Sequence, residues 1–306
     1  MKALPRLVVI LGPTAAGKTT LGISLAERLG GEILLCDSTQ VYRRFSIGTA
    51  KVPFAEQRGV PHHLVDLVEP DEIFTAGEYR RRALEVLADM RQREKLPVLT
   101  AGTGLYLRAL LEGLAEAPLR SEELRERLRA KAADRGPEHL HQVLARLDAE
   151  AAARIGARDT QKVIRAIELR LVTGKTVGEI HRGGREPLAG YDVLKIGLLP
   201  PRAALYQRIH ERVAAMIRAG WIEEVRQLIA DGVAPHAKPF QFIGYAEWRE
   251  YLAGRLTKDE AIARIEQATR NFAKRQITWF RKEPGVHWLA GFGDDPEILS
   301  AALVKI

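Results

Sequence analysis

An eight-residue motif near the start of the chain constrains the fold more than any other feature. Residues 12–19 read GPTAAGKT and match the pattern G-x-x-x-x-G-K-[ST]. They follow an apolar run at residues 7–11, which is typical of a buried parallel strand, and precede leucines at helical spacing. We therefore expect a phosphate-binding turn (a P-loop) between a strand and a helix, with Lys18 on the phosphates and the Thr19 hydroxyl available to Mg²⁺.

Further apolar runs alternate with helical patterns and favour an α/β fold. The expected strands are residues 7–11, 33–36, 97–101 and 191–199, and the longest expected helices are 76–95 and 257–282. Thr257 and Glu260 form a capping box at the start of the last helix. The alternation predicts a P-loop NTPase-like core, with a parallel β-sheet flanked by helices on both faces.

Residues 116–185 show short helical patterns and no convincing strand, which predicts an all-helical insertion in the middle of the chain. Ser121 and Asp159 suit helix N-caps, Pro137 suits a first helical turn, and Gly174 ends a helix. Residues 116–185 hold 15 Lys and Arg against 11 Asp and Glu, so they carry +4 of the net +8. That charge suits either an acidic partner or a solvated helical face. The predicted domains are a core of residues 1–115 and 186–306 and an insertion of residues 116–185.

Composition narrows the class of protein. The single cysteine, Cys36, excludes an intrachain disulfide and a Cys-based zinc site, and its apolar neighbours predict a small buried side chain. The N-terminus lacks the features of a signal peptide, and no stretch reaches the ~18 uncharged apolar residues of a membrane span. We expect a cytoplasmic protein with no membrane contact, and the positive charge permits a polyanionic partner.

Polar residues follow two of the predicted strands. Asp37 comes directly after the strand at 33–36, and ligands of open α/β sheets gather at the carboxyl ends of strands. Its carboxylate there suits a base or a metal ligand, and a turn or helix cap is the alternative. Residues 102–106 (GTGLY) alone predict only a tight turn into a helix. His62 and His63 lack a third metal ligand, which favours packing and hydrogen bonding.

A basic and aromatic segment, residues 270–282, lies near the C-terminus. At 100° per residue, Arg270, Lys274 and Arg281 share one helix face. Cations interleaved with aromatic rings suit the phosphates and bases of a nucleic acid, and a surface helix with its rings in the core is the alternative. For Trp279 and Phe280 we expect the core.

An ordered set of motifs runs along nearly the whole chain. It comprises the P-loop, DSTQVYR at 37–43, IGTAK at 47–51, PHHLVD at 61–66, GTGLY at 102–106, RDTQKVIRAIE at 158–168, the helix with Arg212 and Met216, IGYAEW at 243–248 and AKRQITWFR at 273–281. Each motif alone is weak, whereas the ordered set is specific. Together the motifs resemble the tRNA dimethylallyltransferase (tRNA isopentenyltransferase) family.

The resemblance implies a reaction and a set of catalytic residues. Family members transfer a dimethylallyl group from dimethylallyl diphosphate to N6 of an adenosine in tRNA, at position 37 next to the anticodon. Asp37 is then the general base on N6, Lys18 and Arg212 bind the diphosphate, Thr14 reaches the substrates, and Thr19 lies near the Mg²⁺ cofactor. The insertion at 116–185 would grip the anticodon stem-loop, and we expect a monomer.

The resemblance also assigns binding residues. Diphosphate binding falls to Gly12, Pro13, Thr14, Ala15, Ala16, Gly17, Lys18 and Thr19. tRNA binding falls to Asp37, Ser38, Thr39, Gln40, Gln161, Lys162, Val163, Ile164, Arg165, Gln241, Phe242, Ile243, Gly244, Tyr245, Ala246, Lys274, Arg275, Gln276, Ile277, Thr278, Trp279, Phe280 and Arg281.

The chain departs from the family pattern at four positions. Ala101, Ala149, Arg158 and Lys162 stand where Gly, Pro, Asn and Arg are usual. The last three lie in or beside the insertion, so they bear on the grip of RNA rather than on the chemistry. Lys162 keeps the positive charge but loses the bidentate fork of Arg.

Two other functions remain open on the residues alone. A P-loop small-molecule kinase with a helical lid would share the motif and the Asp, but would not need the basic-aromatic helix. An RNA-binding nucleotide switch would hydrolyse nucleotide without modifying the base. ATP consumption in the absence of RNA identifies the kinase, and an unchanged RNA mass identifies the switch.

Overall fold

Six strands form a single sheet. The computed structural model describes residues 4–115 and 120–306. The strands are β1 (Arg6–Leu11), β2 (Glu32–Cys36), β3 (His62–His63), β4 (Pro97–Ala101), β5 (Asp192–Leu198) and β6 (Val286–Leu289). Their order in the sheet is β3-β2-β4-β1-β5-β6, and all neighbouring strands pair in parallel. This topology confirms the predicted parallel α/β core.

Thirteen α-helices lie within residues 4–115 and 120–306. They are α1 (Lys18–Leu29), α2 (Ala76–Gln92), α3 (Gly104–Glu112), α4 (Glu122–Arg135), α5 (Pro137–Leu147), α6 (Ala149–Arg154), α7 (Thr160–Thr173), α8 (Val177–Arg182), α9 (Arg202–Arg218), α10 (Trp221–Ala230), α11 (Tyr245–Leu252), α12 (Lys258–Phe280) and α13 (Pro296–Leu303). Among these described helices, none is long and apolar enough to cross a bilayer.

Both faces of the sheet are buried because side chains alternate along each strand. Leu7, Val9 and Leu11 of β1 belong to a core with α2 and α3. Val8 and Ile10 belong to a second core with α1 and α13. Helices therefore cover both faces, as predicted, and the carboxyl ends of the strands remain at one edge for the site.

The sequence did not predict two strands. β3 is only two residues long, too short for any pattern of alternation. β6 is a half-buried edge strand that follows Pro284 and Gly285, so it lacks the continuous apolar run of the central strands. The predicted helix 76–95 ends at Gln92, and the predicted helix 257–282 ends at Phe280.

The second compact unit comprises Glu112–Pro187, and the first comprises Met1–Leu111 and Leu188–Ile306. The predicted boundary at residue 116 falls within residues 116–119, which lie outside the described part. In the second unit Ser121 and Asp159 cap α4 and α7, and Gly174 ends α7, as predicted. Ala149 is the first residue of α6, a helical position that also accepts the Pro usual in the family.

Candidate functional site

The loop between β1 and α1 has the strained backbone that phosphate binding requires. Gly17 has a φ of 83° and Ala15 a φ of 63°, both in the left-handed region. The Lys18 ammonium donates hydrogen bonds to the carbonyl oxygens of Gly12 at 3.0 Å and Pro13 at 2.9 Å. This geometry places a cation and the first turn of α1 at the same point, which suits an anion.

A segment beyond β6 holds the loop from outside. The Gly293 N–H donates to the carbonyl oxygen of Ala16 at 2.8 Å. A Cβ at Gly293 would overlap the carbonyl oxygen of Gly17, so only glycine fits this approach. Asp294 accepts two hydrogen bonds of 2.5 Å from the Arg208 guanidinium, which fixes the segment to α9. The sequence analysis did not predict this support for the P-loop. Its only local signal in the sequence is the run GFGDD at 291–295.

Asp37 follows β2 and forms a turn with its own neighbours. Its Oδ1 accepts hydrogen bonds from the Thr39 N–H at 2.8 Å and the Thr39 hydroxyl at 2.6 Å. Its Oδ2 lies against Gly102, where a Cβ would stand only 2.5 Å away. Asp37 therefore has the role in a turn that was the alternative to a base or metal ligand. That role occupies Oδ1 and leaves Oδ2 at the carboxyl edge of the sheet.

Asp37, Lys18 and Arg212 interact electrostatically at this edge. Burial lowers the pKa of Lys18 to about 8; Asp37 opposes that shift and Arg212 adds to it. Burial likewise lowers the pKa of Arg212 on α9, and Asp37 again opposes the shift. One carboxylate thus stabilises two half-buried cations, and all three predicted residues share one site.

The turn after β4 is locked to the segment after β2. The Ser38 N–H donates to the Thr103 hydroxyl at 2.9 Å, and that hydroxyl donates to the Ser38 hydroxyl at 3.1 Å. The Gly102 and Thr103 N–H groups both donate to the Cys36 carbonyl at 3.0 Å. The GTGLY motif, weak by itself, therefore contributes directly to the position of Asp37. Cys36 is a buried free thiol, as expected, and burial raises its pKa to about 12.

Gln276 on α12 joins the P-loop to the same turn. Its side-chain oxygen accepts from the Thr14 N–H at 2.7 Å, and its side-chain nitrogen donates to the Gly102 carbonyl at 2.7 Å. The side chain is only 6% exposed. No sequence pattern could have shown this bridge, because its partners lie far apart along the chain.

Burial corrects part of the predicted set of tRNA contacts. Five of its side chains lie in the interior, where they pack or hydrogen-bond within the protein: Val163, Ile164, Tyr245, Gln276 and Phe280. Tyr245 donates to Glu224 at 2.6 Å and accepts from the Gly48 N–H at 3.1 Å, so it ties the 243–248 motif to the 47–51 motif. These five side chains serve the fold rather than RNA contact.

The outer face of α12 carries the predicted cations. Lys274, Arg275 and Arg281 are exposed, whereas Arg270 bonds to Glu266 and Gln267 on its own helix. The expectation of a core position is confirmed for Phe280 and wrong for Trp279, which is 41% exposed. The Trp279 indole lies against Gly104, where a Cβ would overlap it, so it rests on the surface of the GTGLY turn.

The cations of the second unit are partly neutralised within it. Gln161 and Lys162 are exposed at the start of α7, and Lys162 pairs with Asp159 at 2.5 Å. Arg165 pairs at 2.5 Å with Glu168, a fully buried carboxylate that also binds Arg125. These partners fix the orientation of the cations on α7.

The donors for a metal are few. Within residues 4–115 and 120–306, no cluster of three or more His, Cys, Asp or Glu side chains is arranged to hold an ion. His63 instead pairs with Glu32 at 2.7 Å, as expected for a packing role. A single hydroxyl, Thr19, at the start of α1 fits Mg²⁺, which keeps several waters and binds largely through substrate phosphates.

Comparisons with known proteins show which proteins this chain is similar to. The family model described as IPP transferase matches residues 40–283. The chain is 52% identical over 299 residues to a tRNA dimethylallyltransferase of Koribacter versatilis, covering 98% of this chain and 97% of that protein. It is 50% identical over 300 residues to a tRNA dimethylallyltransferase of Solibacter usitatus, with the same coverages.

Two solved structures share the fold. A full-length tRNA isopentenylpyrophosphate transferase from Bacillus halodurans has a TM-score of 0.71 and 37% identity, covering 98% of this chain and 96% of that one. A eukaryotic dimethylallyltransferase acting on tRNA has a TM-score of 0.80 and 27% identity, covering 94% of this chain and 74% of that one.

Proposed function

We propose, from the premise that this chain belongs to the IPP transferase family, that it transfers a dimethylallyl group to tRNA. The donor is dimethylallyl diphosphate, and the acceptor is N6 of the adenosine at position 37, next to the anticodon. The observation that carries the proposal is the meeting of Asp37 with the half-buried cations Lys18 and Arg212 beside the P-loop. A tRNA substrate also accords with a cytoplasmic location.

The donor side of the site neutralises a leaving group. Lys18 and Arg212 face the diphosphate together with the N–H groups of the P-loop and the positive end of α1. Thr19 would help to hold Mg²⁺, which would supply further positive charge against the diphosphate. The pKa of Lys18, lowered to about 8 by burial, still leaves it mostly protonated at neutral pH, so it binds as a cation.

The acceptor side supplies a base. The N6 nitrogen attacks C1 of the dimethylallyl group, the N6–C1 bond forms, and the bond from C1 to the diphosphate oxygen breaks with its electrons. The N6 proton passes to the Asp37 carboxylate, whose Oδ1 is already oriented by Thr39. General-base catalysis of this kind contributes about 10²–10⁴-fold. The adenine must leave its stack to reach the site.

The nucleic-acid side rests on exposed cations. Lys274 and Arg275 on α12, and Arg281 directly after it, are exposed. Each true phosphate contact among them adds about 0.7–0.9 to the log–log salt slope of RNA binding. Replacing all three with Ala lowers the slope by about 2–3 if all are contacts. The matched control replaces Lys258 and Arg264, two other exposed cations of α12, and leaves the slope unchanged. An unchanged slope in the triple variant would place the RNA surface elsewhere.

A donor experiment separates the proposal from its rivals. The protein is incubated with an anticodon stem-loop, Mg²⁺ and either dimethylallyl diphosphate or ATP, and the mass of the RNA is measured. We expect one added C5H8 unit with dimethylallyl diphosphate in the absence of any nucleotide. A kinase would consume ATP without RNA, and a nucleotide switch would leave the RNA mass unchanged. A strict ATP requirement for the product would falsify the proposal.

A further inference from the structure

Gln276 stands apart from its neighbours on α12. The exposed residues on either side, Lys274, Arg275 and Trp279, face solvent, whereas Gln276 is 6% exposed and lies on the same buried face as Ala273 and Phe280. A glutamine in such a position is stable only when both ends of its amide are hydrogen-bonded. Both ends are bonded here, at 2.7 Å each.

The two partners of Gln276 belong to opposite halves of the site. Thr14 lies within the P-loop, which faces the diphosphate. Gly102 lies against the Asp37 carboxylate, so close that a Cβ would stand 2.5 Å from Oδ2, and its N–H is bonded to Cys36 next to that residue. One side chain therefore spans from the donor side to the base side.

Chemistry selects glutamine at this position. The Thr14 N–H is a donor and needs an oxygen, while the Gly102 carbonyl is an acceptor and needs an N–H, so the orientation of the amide is fixed. A Glu side chain satisfies Thr14 but sets a carboxylate oxygen against the Gly102 carbonyl. Asn is one methylene shorter and reaches only one partner, and Met reaches both places but bonds to neither.

We propose that Gln276 is a positioning residue that sets the distance between the P-loop and Asp37. This inference rests on the proposed function, because it concerns the in-line arrangement of donor, N6 and base. It also reassigns a residue that the family motif places among the RNA contacts. Misplacing reacting groups by about 1 Å costs on the order of 10²-fold in rate, so a bridge of this kind affects turnover more than binding.

The test compares Gln276→Met and Gln276→Glu with wild type in single-turnover transfer at saturating RNA and donor. We expect the rate to fall by on the order of 10²-fold for Met and by less for Glu, with RNA affinity changed less than twofold. Ile265→Val, on the same buried face of α12 and away from the bridge, is the stability control and retains near-normal transfer. Circular dichroism melts verify that each variant is folded.

A double-mutant cycle separates positioning from mere stability. If Gln276 acts through Asp37, the Gln276→Met change costs much less in an Asp37→Asn background than in wild type. Additive losses, or a weaker RNA affinity with a normal single-turnover rate, would overturn the inference. A near-normal rate for Gln276→Met would overturn it as well.

An independent readout does not depend on the reaction. The bridge protects the Thr14 amide from hydrogen exchange, so Gln276→Met must accelerate exchange there and Ile265→Val must not. Unchanged Thr14 exchange in Gln276→Met refutes the bridge even if transfer is slowed. A wild-type protein that transfers no C5H8 group refutes the proposed function instead, so the two failures are distinguishable.

Discussion

Replacing Asp37 with Asn tests the role of the base with little structural disturbance. The amide keeps the size of the carboxylate, and its oxygen still accepts from the Thr39 N–H and hydroxyl, which now lie at 2.8 and 2.6 Å from Oδ1. Its –NH₂ group takes the place of Oδ2 beside Gly102. The turn after β2 therefore survives, while the negative charge and the proton acceptor are lost.

Two effects of different origin follow from that loss. Removal of the base lowers the single-turnover rate by about 10²–10⁴-fold. Asp37 also raises the pKa of Lys18 against the effect of burial, which has already brought it down to about 8. Without Asp37 this pKa falls further, so the free variant loses the Lys18 charge, and with it donor affinity, at a lower pH than wild type does.

The pH of the assay separates the two effects. Pairing with the bound diphosphate favours the charged ammonium of Lys18, and pH 6 lies below the wild-type pKa of about 8, so the rate deficit that remains at pH 6 with saturating donor and RNA reports the base. Asp66→Asn is the matched control, because it removes an equal charge from another carboxylate of the core unit that pairs with Lys51. A near-normal Asp37→Asn rate at pH 6 would show that Asp37 is only a turn residue. A normal single-turnover rate together with a large loss of RNA affinity would show that Asp37 acts in RNA recognition rather than in catalysis.

Three further changes follow from named contacts. In Glu32→Gln, the melting temperature at pH 7 falls below that of wild type. Hydrogen bonds from Arg93 and His63 lower the pKa of Glu32 from 4.5 to about 2, so the charged carboxylate stabilises the folded protein above pH 4.5. The difference in melting temperature between variant and wild type therefore vanishes as the pH falls from 4.5 to about 2. In Glu168→Gln, loss of the buried charge between two arginines destabilises residues 112–187 by about 2–3 kcal/mol, measured by hydrogen exchange within that unit. In Gly293→Ala, the new Cβ displaces Gly17 and weakens calorimetric binding of inorganic diphosphate, whereas Gly156→Ala, which enters open space, does not.

Local features of the fold were predictable from the sequence. The Thr257–Glu260 capping box and the N-cap at Asp159 depend on residues three apart, and the structure has both. The strand β4 matches its predicted bounds, because an apolar run buried on both faces leaves a plain signal. The position of Asp37 at the sheet edge followed from the same reasoning.

Long-range contacts were beyond that reasoning. Gln276 bonds to Thr14 across 262 positions of the chain, and only the folded structure brings them together. Trp279 was expected in the core because its helix is amphipathic, but it rests on Gly104, a neighbour that periodicity within one helix cannot reveal. Gly293 was missed for the same reason, since its role depends on the P-loop far away along the chain. β6 was missed because it lacks a continuous apolar run.

Mapping the modified nucleoside tests the central claim most directly. An anticodon stem-loop is incubated with wild-type protein, dimethylallyl diphosphate and Mg²⁺, digested, and sequenced by mass spectrometry, with Asp37→Asn run in parallel. The account predicts one C5H8 unit on N6 of the adenosine next to the anticodon, released diphosphate in equal amount, and a product formed about 10²–10⁴-fold more slowly by the variant. A modification at another nucleotide, or hydrolysis of the donor with unmodified RNA, would contradict it.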